Sequence, residues 1–415
     1  MYGHWSFSWV QVMAHNKGVL FSVLGVFSLL VMAGLTFVEQ TISWGSWGLL
    51  FGSIVLMSVA MAKLLDSVKA AILQLGLSLY ILAMTLGALG WFGFALDENS
   101  VLGLVILMTV MTSNLVHVLT TLLREMARGL FQFDAIAEAL KFNGSPIFLA
   151  NFTSLMGFAF AAWYEPELIT MAWIVGVGVV ISYLTTLTWL PLILLSWLLE
   201  FRVGSSADRY GYAFVVAWME KRAGLLTLLL VIFATGFMAL LWAAKSILPL
   251  LWQLTEMLLV MALLFMVFWK SLSLAVLNTL ANLLALTLTV AGFYLLMNLW
   301  TGVDTPVSLL LLMVPMGLIV DDGIHFFSRY LRAKQGIFSD SSSAVRYAMA
   351  SVGRPIWMTS WIVMIGLFTL LLSPQALIQQ ASLITILSLG FATLIILFII
   401  PAFLARRASN TGSQG

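Results

Sequence analysis

The sequence predicts an all-α polytopic membrane protein, with about twelve transmembrane helices in two parallel, pseudo-symmetric six-helix repeats. Three observations predict it: an apolar composition, apolar windows long enough to cross a bilayer, and a lopsided distribution of basic residues. Of 415 residues, 62% are hydrophobic and 9% are charged, against about 25% charged in a soluble domain. Nineteen basic and 17 acidic side chains cannot screen that much apolar surface from water, so most of it must meet lipid. This composition excludes soluble enzymes, and no catalytic residue is expected. A net charge of +2 is too small to point to nucleic acid. The absence of cysteine excludes disulfides, thiolate metal sites and cysteine nucleophiles.

A membrane helix needs about 20 mostly apolar residues. Windows of that kind lie near 18–38, 46–64, 71–95, 101–122, 146–164, 169–198, 224–244, 247–269, 274–300, 306–328, 356–373 and 381–405. They are continuous rather than alternating, which favours helices over the strands of a β-barrel. The first is too long for a signal peptide and has no small-residue cleavage pattern after it. With the N-terminus cytoplasmic, the inner segments hold every lysine and arginine except Lys245, while outer turns carry Glu39, Asp97, Glu98, Glu165, Glu167 and Asp304. That asymmetry is what positive-inside orientation produces. Both termini are therefore expected in the cytoplasm.

The chain also reads twice. Ser113-Asn114-Leu115-Val116-His117 aligns with Asp321-Asp322-Gly323-Ile324-His325, and Arg124 with Arg332. Gly144-Ser145-Pro146-Ile147 aligns with Gly353-Arg354-Pro355-Ile356, Gly157 with Gly366, and Pro191 with Pro401. An even number of spans per half makes the repeats parallel, related by an axis along the membrane normal. The expected organisation is a first repeat at 1–201, a linker at 202–209, a second repeat at 210–407 and a disordered tail at 408–415. Each half opens on an amphipathic approach: Trp5, Trp9, Val12 and Met13 in the first, Phe214, Val215, Trp218 and Met219 in the second. These suit either an interfacial helix or a plain extension of the first span. Inner loops at 124–145 and 329–354 have helical apolar spacing and are expected to pack on the cytoplasmic surface.

Ionisable residues inside a span cost about 2.5–3.5 kcal/mol each at the helix centre on insertion scales. The window 306–328 holds several: Asp321, Asp322 and His325, after Pro315 and Gly317. His325 lies three and four positions from the two acids, so it can reach either. Adjacent carboxylates in a low dielectric repel, and such a pair can take up and release a proton with His325 as relay or counter-charge. The alternative is a boundary pair, hydrated from the cytoplasm and neutralised by Arg329. The matching span of the first half has Ser113, Asn114 and His117, expected by symmetry to face the acids. His117 is either a packing histidine or part of the relay. Thr359 and Ser360, with Asn151 and Thr153 in the matching fifth span, either extend the polar path or act as interhelical hydrogen-bond glue. The histidine–aspartate set does not by itself make a tetrahedral metal site. No glycine-rich phosphate loop with lysine appears, so ATP is not the expected energy source. No cofactor is expected.

The run Gly317-Leu-Ile-Val-Asp321-Asp322-Gly-Ile-His325-Phe-Phe-Ser-Arg329-Tyr330, with Gly353-Arg354-Pro355-Ile356 and Thr359-Ser360, resembles the resistance–nodulation–division (RND) superfamily. Within it the sequence looks like the bacterial MMPL-type predicted exporters, related to Patched and sterol-sensing domains. The resemblance implies inner-membrane location and proton-driven movement of lipidic or amphiphilic substrates. It implies proton coupling by acids on the fourth and tenth helices, carried here by Asp321 and Asp322 beside His325; Ser113 and Asn114 hold the first-half positions. The family normally inserts a large periplasmic porter domain between the first two helices of each half. Here those places hold about seven residues near Glu39 to Gly45 and about three near Lys245. The expected function is proton-coupled movement of a lipid or hydrophobic molecule. Candidate partners are membrane lipids, periplasmic carrier or porter-like subunits, and further copies of the chain in a homo-oligomer. The alternative is a non-transporting, sterol-sensing-like lipid binder or a scaffold module of a membrane complex.

Overall fold

A computed structural model describes residues 5–197, 222, 248–301, 309–338 and 340–405. The seventh window at 224–244, the approach Phe214–Met219, Lys245, Asp304, the linker 202–209 and the tail 408–415 lie outside the described residues. By contacts the chain divides into two compact units, Met1–Arg209 with Trp361–Gln379, and Tyr210–Ser360 with Gln380–Gly415.

The first unit opens with α1, Trp5–His15, which buries Ser6, Phe7, Val10 and Met13 and leaves Trp5 and Val12 exposed. The buried edge is rotated from the Trp5–Trp9–Val12–Met13 set because α1 packs on α6 (Gln132–Tyr164) and α8 (Trp189–Ser196). Helix α2, Lys17–Met32, continues as a 3₁₀ turn, Ala33–Phe37. Val19, Val23, Val26, Leu29 and Leu30 are all exposed on it. Such a helix, apolar on every side, is stable only with lipid as its solvent. Gly34 follows, and a Cβ there would fall 2.0 Å from the Gly87 carbonyl oxygen of α4, Val68–Trp91. The backbones touch, as small residues allow between membrane helices.

Helix α3, Trp44–Leu65, is N-capped by Ser43, whose Oγ accepts from Ser46 N at 3.3 Å. It ends on Asp66 in the left-handed region (φ +51), and Ser67 caps α4 by accepting from Ala70 N at 3.2 Å. Between α2 and α3 the chain needs only residues 38–43, held to the α4–α5 loop by a parallel bridge from Gln40 to Leu96. Helix α5, Ser100–Ala127, is buried along its length, against α3, α6 and α7, Ile169–Leu187. The chain breaks at Thr188, between α7 and α8, for a covalent reason. Pro191 has no N–H to give the Leu187 carbonyl four residues back. The Trp9 indole donates to that carbonyl instead, at 2.8 Å, which ties α1 to the break.

In the second unit, α9 (Leu248–Trp269) ends on Lys270, again at φ +51, and α10 runs Leu272–Thr301. Helix α11 spans Leu309–Gly336. Helix α12, Ser341–Ala348, passes through a π-turn, Met349–Gly353, into α13, Arg354–Phe368. Helix α14, Ala376–Leu394, passes through a second π-turn, Ile395–Ile399, and the chain stays helical to Ala405. Each π-turn sits just before a proline, Pro355 and Pro401, where a wider turn absorbs the missing donor. The stretch 361–379 groups with the first unit, where Gly366 lies so near α3 that a Cβ would fall 2.7 Å from Met57 Cγ.

The expected inner loops are much shorter than their windows. Residues 132–164 form one helix that runs through Pro146, and 341–372 are helical almost throughout. The apolar spacing read in those loops belongs to helices: Ala135, Ile136, Ala139 and Leu140 are buried along α6. Among the described residues, nine helical stretches are long and apolar enough to cross a membrane, and none forms a strand. The protein is an all-α, multi-pass membrane protein.

Candidate functional site

Helix α11 carries Asp321 and Asp322 at its middle, and their side chains part company as neighbours on a helix must. Asp322 is buried, and its Oδ2 accepts from Ser360 Oγ of α13 at 3.2 Å and Thr393 Oγ1 of α14 at 3.1 Å. The two hydroxyls are 2.6 Å apart, so three oxygens form a closed triangle. Proton counting gives this triangle its chemistry. Two hydroxyl protons serve three oxygen–oxygen contacts, and Ser360 also lies 2.8 Å from the Ile356 carbonyl. A third proton, on a neutral carboxyl, gives each of the triangle's three contacts a donor, and the Ile356 carbonyl competes for the Ser360 proton. The site can thus hold two or three protons without rearranging its heavy atoms.

Asp321 points elsewhere. Its Oδ1 lies 3.3 Å from His325 Nε2 at i+4, an ion pair whenever the imidazole is protonated. His325 is buried and the Asp321 side chain is partly open, at 15%. Together they offer one oxygen and one nitrogen to a cation. Arg329 is buried one helical turn further on. Gly323, between the acids and His325, faces α10: a Cβ there would meet Asn278 Oδ1 at 2.0 Å. Both polar atoms of that buried Asn278 amide lack a hydrogen-bond partner among the described residues.

The first unit repeats the node with other chemistry. Asn114 of α5, buried, donates from Nδ2 to Asn151 Oδ1 of α6 at 3.0 Å and to Ser182 Oγ of α7 at 3.3 Å. Asn151 passes the link on, donating to the Val179 carbonyl at 3.2 Å. His117 is buried, and its carbonyl accepts from Asn143 Nδ2 at 3.2 Å and Thr121 Oγ1 at 2.8 Å. Ser113 is buried beside Asn114.

The predicted polar residues thus divide. Asp322 is joined to Ser360, and Asn114 to Asn151. Thr359 and Thr153 instead turn their hydroxyls to carbonyls of their own helices, Ile356 and Ala150, each at 2.9 Å. Sequence reasoning missed Thr393, Ser182 and Asn143. The available signal for the first two was their place: each is a hydroxyl in an apolar last span, eight or nine residues before the repeat's proline.

No protein-family model matches the sequence, and neither does any curated protein. Among solved structures the chain is similar to SecDF, a translocon-associated membrane protein from Thermus thermophilus, with a TM-score of 0.68 at 16% identity. That similarity covers 88% of this chain and 63% of SecDF. SecDF in its super-membrane-facing form gives a TM-score of 0.62 at 16% identity, covering 90% of this chain and 64% of that one. The fold is like that of these SecDF structures. The chain therefore spans just under two thirds of the SecDF chains it matches. In this fold the polar nodes sit where α5 meets α6 and α7, and where α11 meets α13 and α14.

Proposed function

We propose that this protein is a proton-coupled, RND-like transport unit of a bacterial inner membrane that moves a lipid or another hydrophobic molecule. The observation that carries the reading is the Asp322–Ser360–Thr393 triangle: a carboxylate buried among membrane helices that accepts, among the described residues, from hydroxyls that can both give and take a proton. Burying a fixed negative charge there is costly, whereas a reversible proton turns the cost into a switch. Three helix segments of one unit meet at Asp322, so a change in its charge changes the bonds that hold them. The basic residues sort to one side of the spans, which supports cytoplasmic termini. In this reading separate periplasmic subunits receive the cargo.

The test is proton flux. Purified protein in liposomes with an internal pH dye and an imposed pH gradient should dissipate the gradient faster than empty liposomes. Asp322→Asn should abolish the difference at equal incorporation. Equal flux from wild type and variant would sink the reading.

A second reading has its own support. SecDF is translocon-associated, and a chain spanning 63% of it can serve as a module within a larger membrane complex. Under that reading a co-purifying membrane partner survives Asp322→Asn unchanged.

A further inference from the structure

A concave pocket of about 480 Å³ opens in the second unit where five helix ends converge. It lies at the end of α9 (Trp269), the start of α10 (Ser271, Ser273), the last turns of α11 (Tyr330, Lys334), the start of α12 (Ser341) and Leu404 near the end of the last helix. Each part of this lining is a helix end, and membrane-crossing helices end near the bilayer surface. The lining is divided accordingly. Lys270, Lys334 and the serines present cations and hydroxyls, while Leu274, Leu331 and Leu404 present an apolar wall. Among the described residues, no carboxylate lines it. The nearest acid in sequence, Asp340, is engaged in capping α12, accepting from Ser343 N at 2.7 Å.

The two lysines are placed differently, and both placements matter. Lys334 Nζ is held by Ser341 Oγ at 3.1 Å and lies 3.5 Å from the Tyr330 hydroxyl, which fixes one ammonium at the pocket wall. Lys270 occupies the left-handed position of the α9–α10 turn, φ +51, where a residue with a Cβ is strained and glycine is not. The corresponding turn of the first unit, Leu65-Asp66-Ser67, has the same φ of +51 at Asp66. One turn geometry therefore carries opposite charges in the two units. The backbone does not require the lysine, so the pocket's positive charge is a property of the side chain.

We propose that this pocket binds the phosphate of an anionic phospholipid headgroup, with Lys270 and Lys334 neutralising the charge and the apolar wall meeting the first part of the acyl chains. Basic pockets between membrane helices recognise lipid phosphates in this way, and surface lysines add affinity roughly one by one. Free phosphate shares the recognised group but leaves the apolar wall unused. This inference does not depend on the proton reading of Asp322.

The test is native mass spectrometry of the full chain released from detergent with defined additions: phosphatidylglycerol, phosphatidylcholine, or inorganic phosphate. Wild type should retain phosphatidylglycerol in preference to phosphatidylcholine, and millimolar phosphate should not displace it. Lys270→Gly and Lys334→Gln should each weaken retention about fivefold, and the double variant about thirtyfold, by the per-lysine scale for membrane surfaces. Lys270→Gly also relieves the turn, so its lipid-free melting temperature should equal or exceed that of wild type. Lys63→Gln, an exposed lysine of the first unit, should leave retention unchanged. Equal retention of both lipids, full retention by the double variant, or displacement by inorganic phosphate would each overturn the proposal.

Discussion

Asn114 and Asp322 occupy equivalent places in two versions of one three-helix node, and they bond in opposite senses. In the first unit the amide donates, to Asn151 and Ser182. In the second the carboxylate accepts, from Ser360 and Thr393. Each node ties one buried helix to two later ones, and each replaces the water that a membrane interior cannot supply. The difference lies in proton inventory. An amide node holds the same protons at every accessible pH, so it can only fasten. A carboxylate between two hydroxyls has two charge states with the same heavy-atom contacts, so it can fasten and switch.

The largest effect should come from converting the second node into a copy of the first. Asp322→Asn removes the titrating group but keeps the shape and supplies an amide donor. It should fold with a melting temperature close to wild type and lose at least tenfold in gradient-driven proton flux. The reverse change should cost stability instead. Asn114→Asp brings a carboxylate against the Asn151 carbonyl oxygen, and an ionised group there should cost about 2.5–3.5 kcal/mol, read as a lower thermal midpoint in detergent.

Gly323→Ala sharpens the comparison from the side of packing. The methyl must displace the Asn278 amide that packs against Gly323, at about 1–3 kcal/mol for an overpacked site. The hydroxyls should matter less: Ser360→Ala, Thr393→Val and Ser182→Ala should each cost about 0.6 kcal/mol in thermal stability, the mean for interhelical hydrogen bonds in membranes. They should still differ in kind, since only the first two should slow proton flux.

The smallest effect concerns an acid outside both nodes. Hydrogen bonds from Ser46 and Ser43 hold the half-buried Glu98 carboxyl below its usual range, against an opposing desolvation. A lowered folded value means its contribution is present above the ordinary glutamate range and is lost as pH falls through the folded value. Glu98→Gln should therefore lower the thermal midpoint slightly at neutral pH and flatten the acid limb of the profile, the two proteins converging at low pH.

Much of this was legible in the sequence because a bilayer leaves few choices. Continuous apolar windows gave the helices, since no other open structure satisfies its backbone in lipid. The Pro146–Pro355 register placed Asn151 opposite Ser360, and both prove to be node residues. Inner segments were harder. Windows ending at 122 and 328 left 124–145 and 329–354 as inner loops with helical apolar spacing, and the spacing of Ala135, Ile136, Ala139 and Leu140 belongs to a helix continuing through Pro146. Thr393 and Ser182 stayed hidden for another reason. A hydroxyl that bonds across helices and one that bonds its own carbonyl, as Thr359 and Thr153 do, are the same letter in a sequence. Only the rotamer and the neighbouring helix tell them apart.

The central claim is that the Asp322 node exchanges a proton while the Asn114 node does not. The most direct measurement is the infrared difference spectrum of the protein in lipid between acidic and alkaline buffer, which reports each carboxyl that gains a proton. The account predicts a carboxyl band of a buried, hydroxyl-bonded acid that vanishes in Asp322→Asn and persists in both Asp321→Asn and Asn114→Ala. A band that survives Asp322→Asn, or that vanishes with Asp321→Asn alone, would contradict it.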